Sequence, residues 1–269
     1  MENKQNLHTH STYCDGKDTP EEMVITAIEK GFDSIGFSMH LYMSFSDYLS
    51  GADSEGYKKE VNRLKKEYAD NIKIYLGLEF EYFSKPEFDG YDYLIGSVHY
   101  LPGAEKPIGI DRSQEDVKNV IDTYFGGDGM KYAKEYYRLL ATLPERGKFD
   151  IIGHFDLITK HSDNVKFFDE ESKEYKNAAI EAAEALVGKI PFFEVNTGAI
   201  ARGYRKSPYP SDFILKELKR LGYGAIISSD CHNKVFLDCA FYEATELLKS
   251  CGFNERYILT DNGFKAVAL

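Results

Sequence analysis

The chain has 269 residues, 43% of them hydrophobic, and a formal net charge of -11; this apolar content supports one sizeable core, so residues 1–269 are read as one domain, with an α/β barrel of about 250 residues as the natural architecture. The acidic balance argues against nucleic acid or an anionic membrane as a partner, and no apolar run approaches the roughly 20 residues of a membrane span. Without signal-peptide features at the start, and with Cys14, Cys231, Cys239 and Cys251 forming neither a CxxC nor a small-domain disulfide pattern, a reducing, cytoplasmic location is expected.

Strand and helix patterns alternate along the chain. Gln5 to His8 reads as a first strand and TPEEMVITAIEKG as the following helix, with Thr19 as N-cap, Pro20 in the first turn, Glu22 completing a capping box and Gly31 as the stop. Next come a strand at Ser34 to Phe37, a helix within Glu55 to Tyr68, strands at Ile72 to Glu79 and Tyr93 to His99, and helical stretches within Ser113 to Tyr124 and Gly129 to Arg146. A strand at Ile151 to Gly153, a helix at Asp169 to Val187, a strand at Phe192 to Val195, a helix at Ser211 to Leu221, a strand at Ala225 to Ser228 and a helix at Phe236 to Ser250 complete the series. Seven strands in a βα rhythm, with no internal repeat, point to a parallel sheet.

Polar residues stand at the apolar ends of these strands: His8 and His10 in NLHTH, His40 in SMH, Glu79 in GLE, His99 in SVH, His154 in GHFD, and Asp230 and His232 in SDCH, with Asp15 nearby. One histidine so placed is ordinarily a hydrogen-bonded core residue. Nine nitrogen and oxygen donors are more than one metal ion could use, and they point to a multinuclear metalloenzyme. His8 with His10, and Asp230 with His232, are i, i+2 pairs, which alternation puts on one side of an extended chain. One pair belongs to the first strand and the other to the last, so closure into a barrel would bring both to the C-terminal mouth. Cys14 and Cys231 read as packing residues, and His161 as a loop histidine that could line the pocket.

Taken in order, HTHSTYCDG, SMH, GLE, SVH, GHFD and SDCH resemble the motifs of the PHP (polymerase and histidinol phosphatase) superfamily. The segment EVNTGAIARGYRKSPYPSDFILKEL is similar to its histidinol-phosphate phosphatase branch. The resemblance implies a distorted, TIM-like (β/α)7 barrel with its active site at the C-terminal strand ends, and hydrolysis of L-histidinol phosphate in histidine biosynthesis. It also implies three divalent ions, for which imidazole and carboxylate ligands suit Zn, Mn or Fe. His8, His10, Glu79 and Asp230 would hold the first; Glu79, His99 and His154 the second, with Glu79 bridging; Asp15, His40 and His232 the third. Asp15 departs from the histidine found in some members, which puts the identity of the third ion in question.

A hydroxide bridging two of the ions is the expected nucleophile. Glu79, Asp230 and His232 are the catalytic candidates, and either the third ion or Asp230 could protonate the leaving alkoxide. Phosphate recognition is expected from the long loop after the sixth strand, with Arg202 favoured; for Arg205 and Lys206 a solvated surface position is the competing reading. Lys160 is a second candidate. Glu81 and Asp156 are candidates for receiving the substrate's ammonium, and Glu194 is read as a carboxylate orienting a ligand imidazole. The partner is therefore a small phosphate monoester. A phosphotyrosine phosphatase or a nucleotide or oligonucleotide phosphoesterase of the same superfamily is the alternative, and the latter would want a basic, aromatic-lined track.

Overall fold

The first helix begins as its capping residues dictate: Thr19 Oγ1 accepts from Glu22 N (3.3 Å) and the Glu22 carboxylate accepts from Thr19 N (2.9 Å). The computed structural model describes residues 2–41 and 53–269. In chain order it contains β1 (Gln5–Asn6), α1 (Pro20–Glu29), β2 (Ser34–His40), α2 (Ser54–Glu67), β3 (Lys73–Glu81), β4 (Tyr93–Ser97), β5 (Tyr100–Leu101) and β6 (Ile108–Gly109). There follow α3 (Gln114–Phe125), α4 (Gly129–Ala141), β7 (Ile151–Ile152), α5 (Lys173–Leu186), β8 (Phe192–Asn196), α6 (Gly198–Ala201), α7 (Asp212–Arg220), β9 (Gly224–Ser228), α8 (Phe241–Ser250), β10 (Glu255–Thr260) and β11 (Gly263–Ala268).

Seven strands form one sheet in the order β1-β2-β3-β4-β7-β8-β9, every neighbouring pair parallel. Just past β1 and β9, Thr9 pairs with Cys231 in a parallel bridge, and His10 N donates to Cys231 O at 2.9 Å. Asn6 Nδ2 also reaches Ser229 Oγ (2.6 Å). First and last strands therefore meet, giving the distorted (β/α)7 barrel that the family resemblance implies. His8 and His10 flank Thr9, and Asp230 and His232 flank Cys231, so this bridge aims both pairs toward the same mouth.

Tyr93 fills the barrel below the mouth, its hydroxyl donating to the carbonyls of Leu7 and Phe37. Gly36 and Gly77 make room for it: a Cβ would lie 2.4 Å from the Tyr93 hydroxyl at the first and 2.1 Å from its ring at the second. Leu7, Tyr75, Ile95, Ile151, Ile226 and Leu259 complete this inner layer, while a larger cluster packs between sheet and helices.

Several elements differ from the sequence reading: β1 ends at Asn6 rather than His8, the last helix begins at Phe241 rather than Phe236, and the short β5–β6 hairpin is not part of that reading. Pro144 has no N–H to continue α4, so Leu143–Glu145 turn as a 3-10 segment instead. Ser172 takes the N-cap of α5, accepting from Tyr175 N (3.2 Å), which starts that helix later than Asp169. The antiparallel hairpin of β10 and β11 follows the last helix, and its Leu259 exchanges two hydrogen bonds with the Gln5 side chain (2.8 and 2.9 Å), joining the chain's end to β1. No helix among the described residues is long and apolar enough to cross a membrane.

Candidate metal centre

Parallel register sets His40 directly beside Glu79, because β2 and β3 pair from Ser34↔Lys73 to His40↔Glu79. Glu79 is 1% exposed and sits at the centre of an imidazole cage. Its Oε2 approaches His8 Nε2 (3.1 Å), His40 Nδ1 (3.2 Å) and His10 Nε2 (3.4 Å), and its Oε1 approaches His154 Nε2 (3.0 Å) and His99 Nε2 (3.4 Å). Asp230 Oδ1 lies 3.3 Å from His10 Nε2 and 3.6 Å from His8 Nε2. Its backbone turns at φ 45, a left-handed conformation that Asp tolerates better than most residues. Asp15 Oδ2 is 3.3 Å from His232 Nε2, and its Oδ1 is 4.0 Å from His40 Nε2.

Outer carboxylates fix two of the rings. Glu194 Oε2 accepts from His8 Nδ1 (2.8 Å) and Glu81 Oε2 from His99 Nδ1 (3.0 Å), so each Nε2 is turned toward Glu79. Buried His8 Nε2, His10 Nε2 and His40 Nδ1 approach carboxylates without hydrogen-bond geometry and have no hydrogen-bond partner. Such orphaned nitrogens facing clustered carboxylates fit metal ligation. Donor atoms converge in three groups: His8, His10 and Asp230; Glu79, His99 and His154; and His10, Asp15, His40 and His232. His10 thus lies between two groups, its ring 4.4 Å from that of His40 and 4.2 Å from that of His232, whereas the sequence assignment gave it to the first alone.

The electrostatics follow from this packing. Burial alone would depress His99, but Glu79 and Glu81 outweigh it and lift the ring to about 9. Burial, with the His232 and His40 rings nearby, lowers His10 to about 3. Burial works against the charge of Glu79, yet the His8, His40 and His99 rings hold its carboxyl well below the usual range. Asp230 is held low in the same way, against burial, chiefly by Arg202 and His8. Burial pushes the Cys14 and Cys231 thiols up to about 12, so neither offers a thiolate.

Basic residues line the rim. Arg202 Nη2 donates to Asp230 Oδ2 (3.1 Å), and its Nη1 lies near Asp230 O (3.1 Å) and His232 Nδ1 (3.2 Å); its side chain stays 33% exposed. Lys160 pairs with Asp111 and stands 4.2 Å over the Tyr204 ring.

The structure corrects the other expected substrate contacts. Glu81 is not an open carboxylate at the mouth: it is 1% exposed, accepting from His99 N (2.7 Å) and Nδ1 (3.0 Å) and from Phe83 N (3.3 Å). Asp156 is fully buried beneath the 157–159 turn and accepts from Ser211 N (2.9 Å). Arg205 is not a solvated charge. It is buried, donating to Thr159 Oγ1 and Ser207 Oγ, 4.0 Å from Asp156 and stacked 4.8 Å over Tyr209, so it braces the loop. His161 is likewise buried, its Nε2 2.7 Å from Arg112 O. Sequence reasoning missed Asp111, which carries no strand-end or helical signal.

A parallel seven-stranded barrel gathering imidazoles and carboxylates, without thiolate, at the carboxyl ends of its strands defines a barrel of the metal-dependent class. The model of the PHP domain family matches residues 6–198, and the chain belongs to that family. Among curated relatives, a probable histidinol-phosphatase of Schizosaccharomyces pombe is 27% identical, covering 91% of this chain and 86% of that protein. The histidinol-phosphatase of Bacillus subtilis is also 27% identical, covering 85% of this chain and 93% of the relative. Of solved structures, the histidinol phosphate phosphatase of Lactococcus lactis, complexed with zinc, L-histidinol and phosphate, is similar with a TM-score of 0.75 at 23% identity, covering 98% of this chain and 99% of that one.

Proposed function

We infer that this chain is a metal-dependent phosphomonoesterase that hydrolyses L-histidinol phosphate to L-histidinol and phosphate. The observation that carries the reading is the cage around Glu79, in which five histidine rings turn a nitrogen toward one buried carboxylate. Its support is the near full-length likeness to histidinol-phosphatases. The three donor groups would hold three divalent ions, Zn, Mn or Fe, through His8, His10, Asp15, His40, Glu79, His99, His154, Asp230 and His232. Bound there, divalent ions supply Lewis acidity and lower the pKa of water to about 7.

The protein's own groups do the rest. Glu194 and Glu81 hold His8 and His99 in one tautomer, so the ligand set is organised before substrate arrives. Arg202, tethered to Asp230 and His232 yet a third exposed, presents N–H donors to the equatorial phosphoryl oxygens, where charge grows during in-line displacement. Lys160 adds a second cation at the rim. Asp230, kept ionised by Arg202 and His8, accepts a hydrogen bond from the attacking water and orients it, and the proton that water loses passes through solvent to the leaving alkoxide.

Phosphate release from metal-loaded protein tests the reading. L-histidinol phosphate is expected to be cleaved with a kcat/KM at least about a hundredfold above that for p-nitrophenyl phosphate, since binding of the remote amine and imidazole is spent on the transition state. Equal efficiency on both would overturn the substrate assignment.

A further inference from the structure

L-Histidinol phosphate carries its amine on the carbon next to the phosphate-bearing CH2. Few bonds separate ammonium nitrogen from phosphorus, so the nitrogen stays within about 5 Å of it. Whatever receives the ammonium must therefore stand beside the groups that hold the phosphate. Glu81 and Asp156 do not meet this need, since both are buried and committed to His99 and to Ser211 and Arg205.

Asp111 does meet it. It follows the β5–β6 hairpin in a segment pinned on both sides: Ile110 N donates to His99 O (2.9 Å), and His161 Nε2 lies 2.7 Å from Arg112 O. Its Oδ1 pairs with Lys160, and its charge is felt by Arg202 and His99. The side chain nevertheless stays 38% exposed. A carboxylate has about four lone-pair sites and Lys160 uses one, which leaves acceptor capacity on a partly exposed side chain, one residue from Ile110, whose N–H is bonded to His99 O. Resting on the phosphatase reading above, we propose that Asp111 is the specificity residue that receives the substrate's ammonium group, holding it between Lys160 and the metal-site rim and selecting phosphate esters of amino alcohols over neutral ones. Lys160 and the incoming ammonium would then share one carboxylate, with the phosphate dianion balancing the added positive charge.

The test compares two ester pairs, L-histidinol phosphate with its des-amino analogue and aminopropyl phosphate with propyl phosphate, on wild type, Asp111→Asn and Asp111→Glu. Calorimetry of L-histidinol and its des-amino alcohol supplies a readout apart from turnover. Wild type is expected to prefer the amine-bearing member of each pair, and Asp111→Asn to shrink that preference by about tenfold or more in both kcat/KM and affinity. Asp111→Glu, which keeps the charge, should retain most of it. If wild type prefers the amine and Asp111→Asn keeps the full preference, or if the Asn variant loses rate equally on both members through a disturbed Lys160, the assignment to Asp111 is wrong while the phosphatase reading stands. If wild type cleaves phosphate esters with no preference for the amine, the histidinol-phosphate reading fails and takes the proposal with it.

Discussion

Replacing Glu194 with Gln preserves shape but removes the charge of a side chain that accepts four hydrogen bonds: from His8 Nδ1 (2.8 Å) and Ser228 Oγ (2.5 Å) on Oε2, and from His154 N (2.7 Å) and Asn196 Nδ2 (2.8 Å) on Oε1. An amide has only one accepting oxygen. If its NH2 faces His154 and Asn196, donors confront donors. If it faces His8, the ring must move its proton to Nε2, and the lone pair aimed at the metal site is lost. Either way at least one charge-assisted hydrogen bond goes, about 1.5–3 kcal/mol, or about 10- to 150-fold in an equilibrium constant. That range overlaps the 10–100-fold typical of partners behind a metal-ligating imidazole. Titration of metal-free protein with Zn or Mn against a competing chelator should therefore show affinity weakened by about 10–100-fold, with phosphatase activity recovered in excess metal. A Glu194→Gln variant that is folded, as judged by circular dichroism, and binds metal as tightly as wild type would refute this reasoning.

Glu79→Gln should lose metal from more than one site and lower turnover by more than about a hundredfold, because one carboxylate faces five imidazoles; elemental analysis and phosphate release check both. Arg202→Ala should depress cleavage of histidinol phosphate and p-nitrophenyl phosphate alike, since on the proposed reading the guanidinium would meet the phosphate common to both; steady-state kinetics on the two esters decide it. Asp156→Ala strands the buried Arg205 guanidinium and should cost about 3 kcal/mol, read as a lower urea midpoint. In metal-free protein His99 is raised from 6.5 to about 9. Its protonated ring therefore adds stability that is fully present below about 6.5 and lost as pH rises through about 9. Metal must displace that proton, so binding at neutral pH should release protons and tighten toward pH 9, measurable with an indicator dye in weak buffer.

The strand-end histidines were legible because the barrel obeys a simple rule: an apolar strand core followed by a polar residue places that residue at the mouth. His40, Glu79, His99 and His154 follow it directly. His8 and His10 arrive there by a different route from the one alternation implies. Regular β1 ends at Asn6, and the Thr9–Cys231 bridge aims the pair. Alternation also fails to report depth. Glu81 shares a face with Glu79, yet hydrogen bonds from His99 draw it behind the ring. Asp156 and Arg205 are polar in sequence but buried in space, because the 157–159 turn and the 202–211 loop fold over each other, and no local pattern records that contact. Asp111 was invisible for the same reason. The β10–β11 hairpin did carry a local signal, Asp261-Asn262-Gly263 between alternating segments, with Gly263 at φ 93, but the βα rhythm was already complete without it.

Counting ions in the active protein tests the central claim most directly. Elemental analysis of purified, active chain, with parallel assay before and after chelation, should give close to three divalent first-row ions per chain and full loss of histidinol-phosphate hydrolysis once they are stripped. Active protein holding one ion or fewer, or hydrolysis that survives complete removal of metal, would contradict the account.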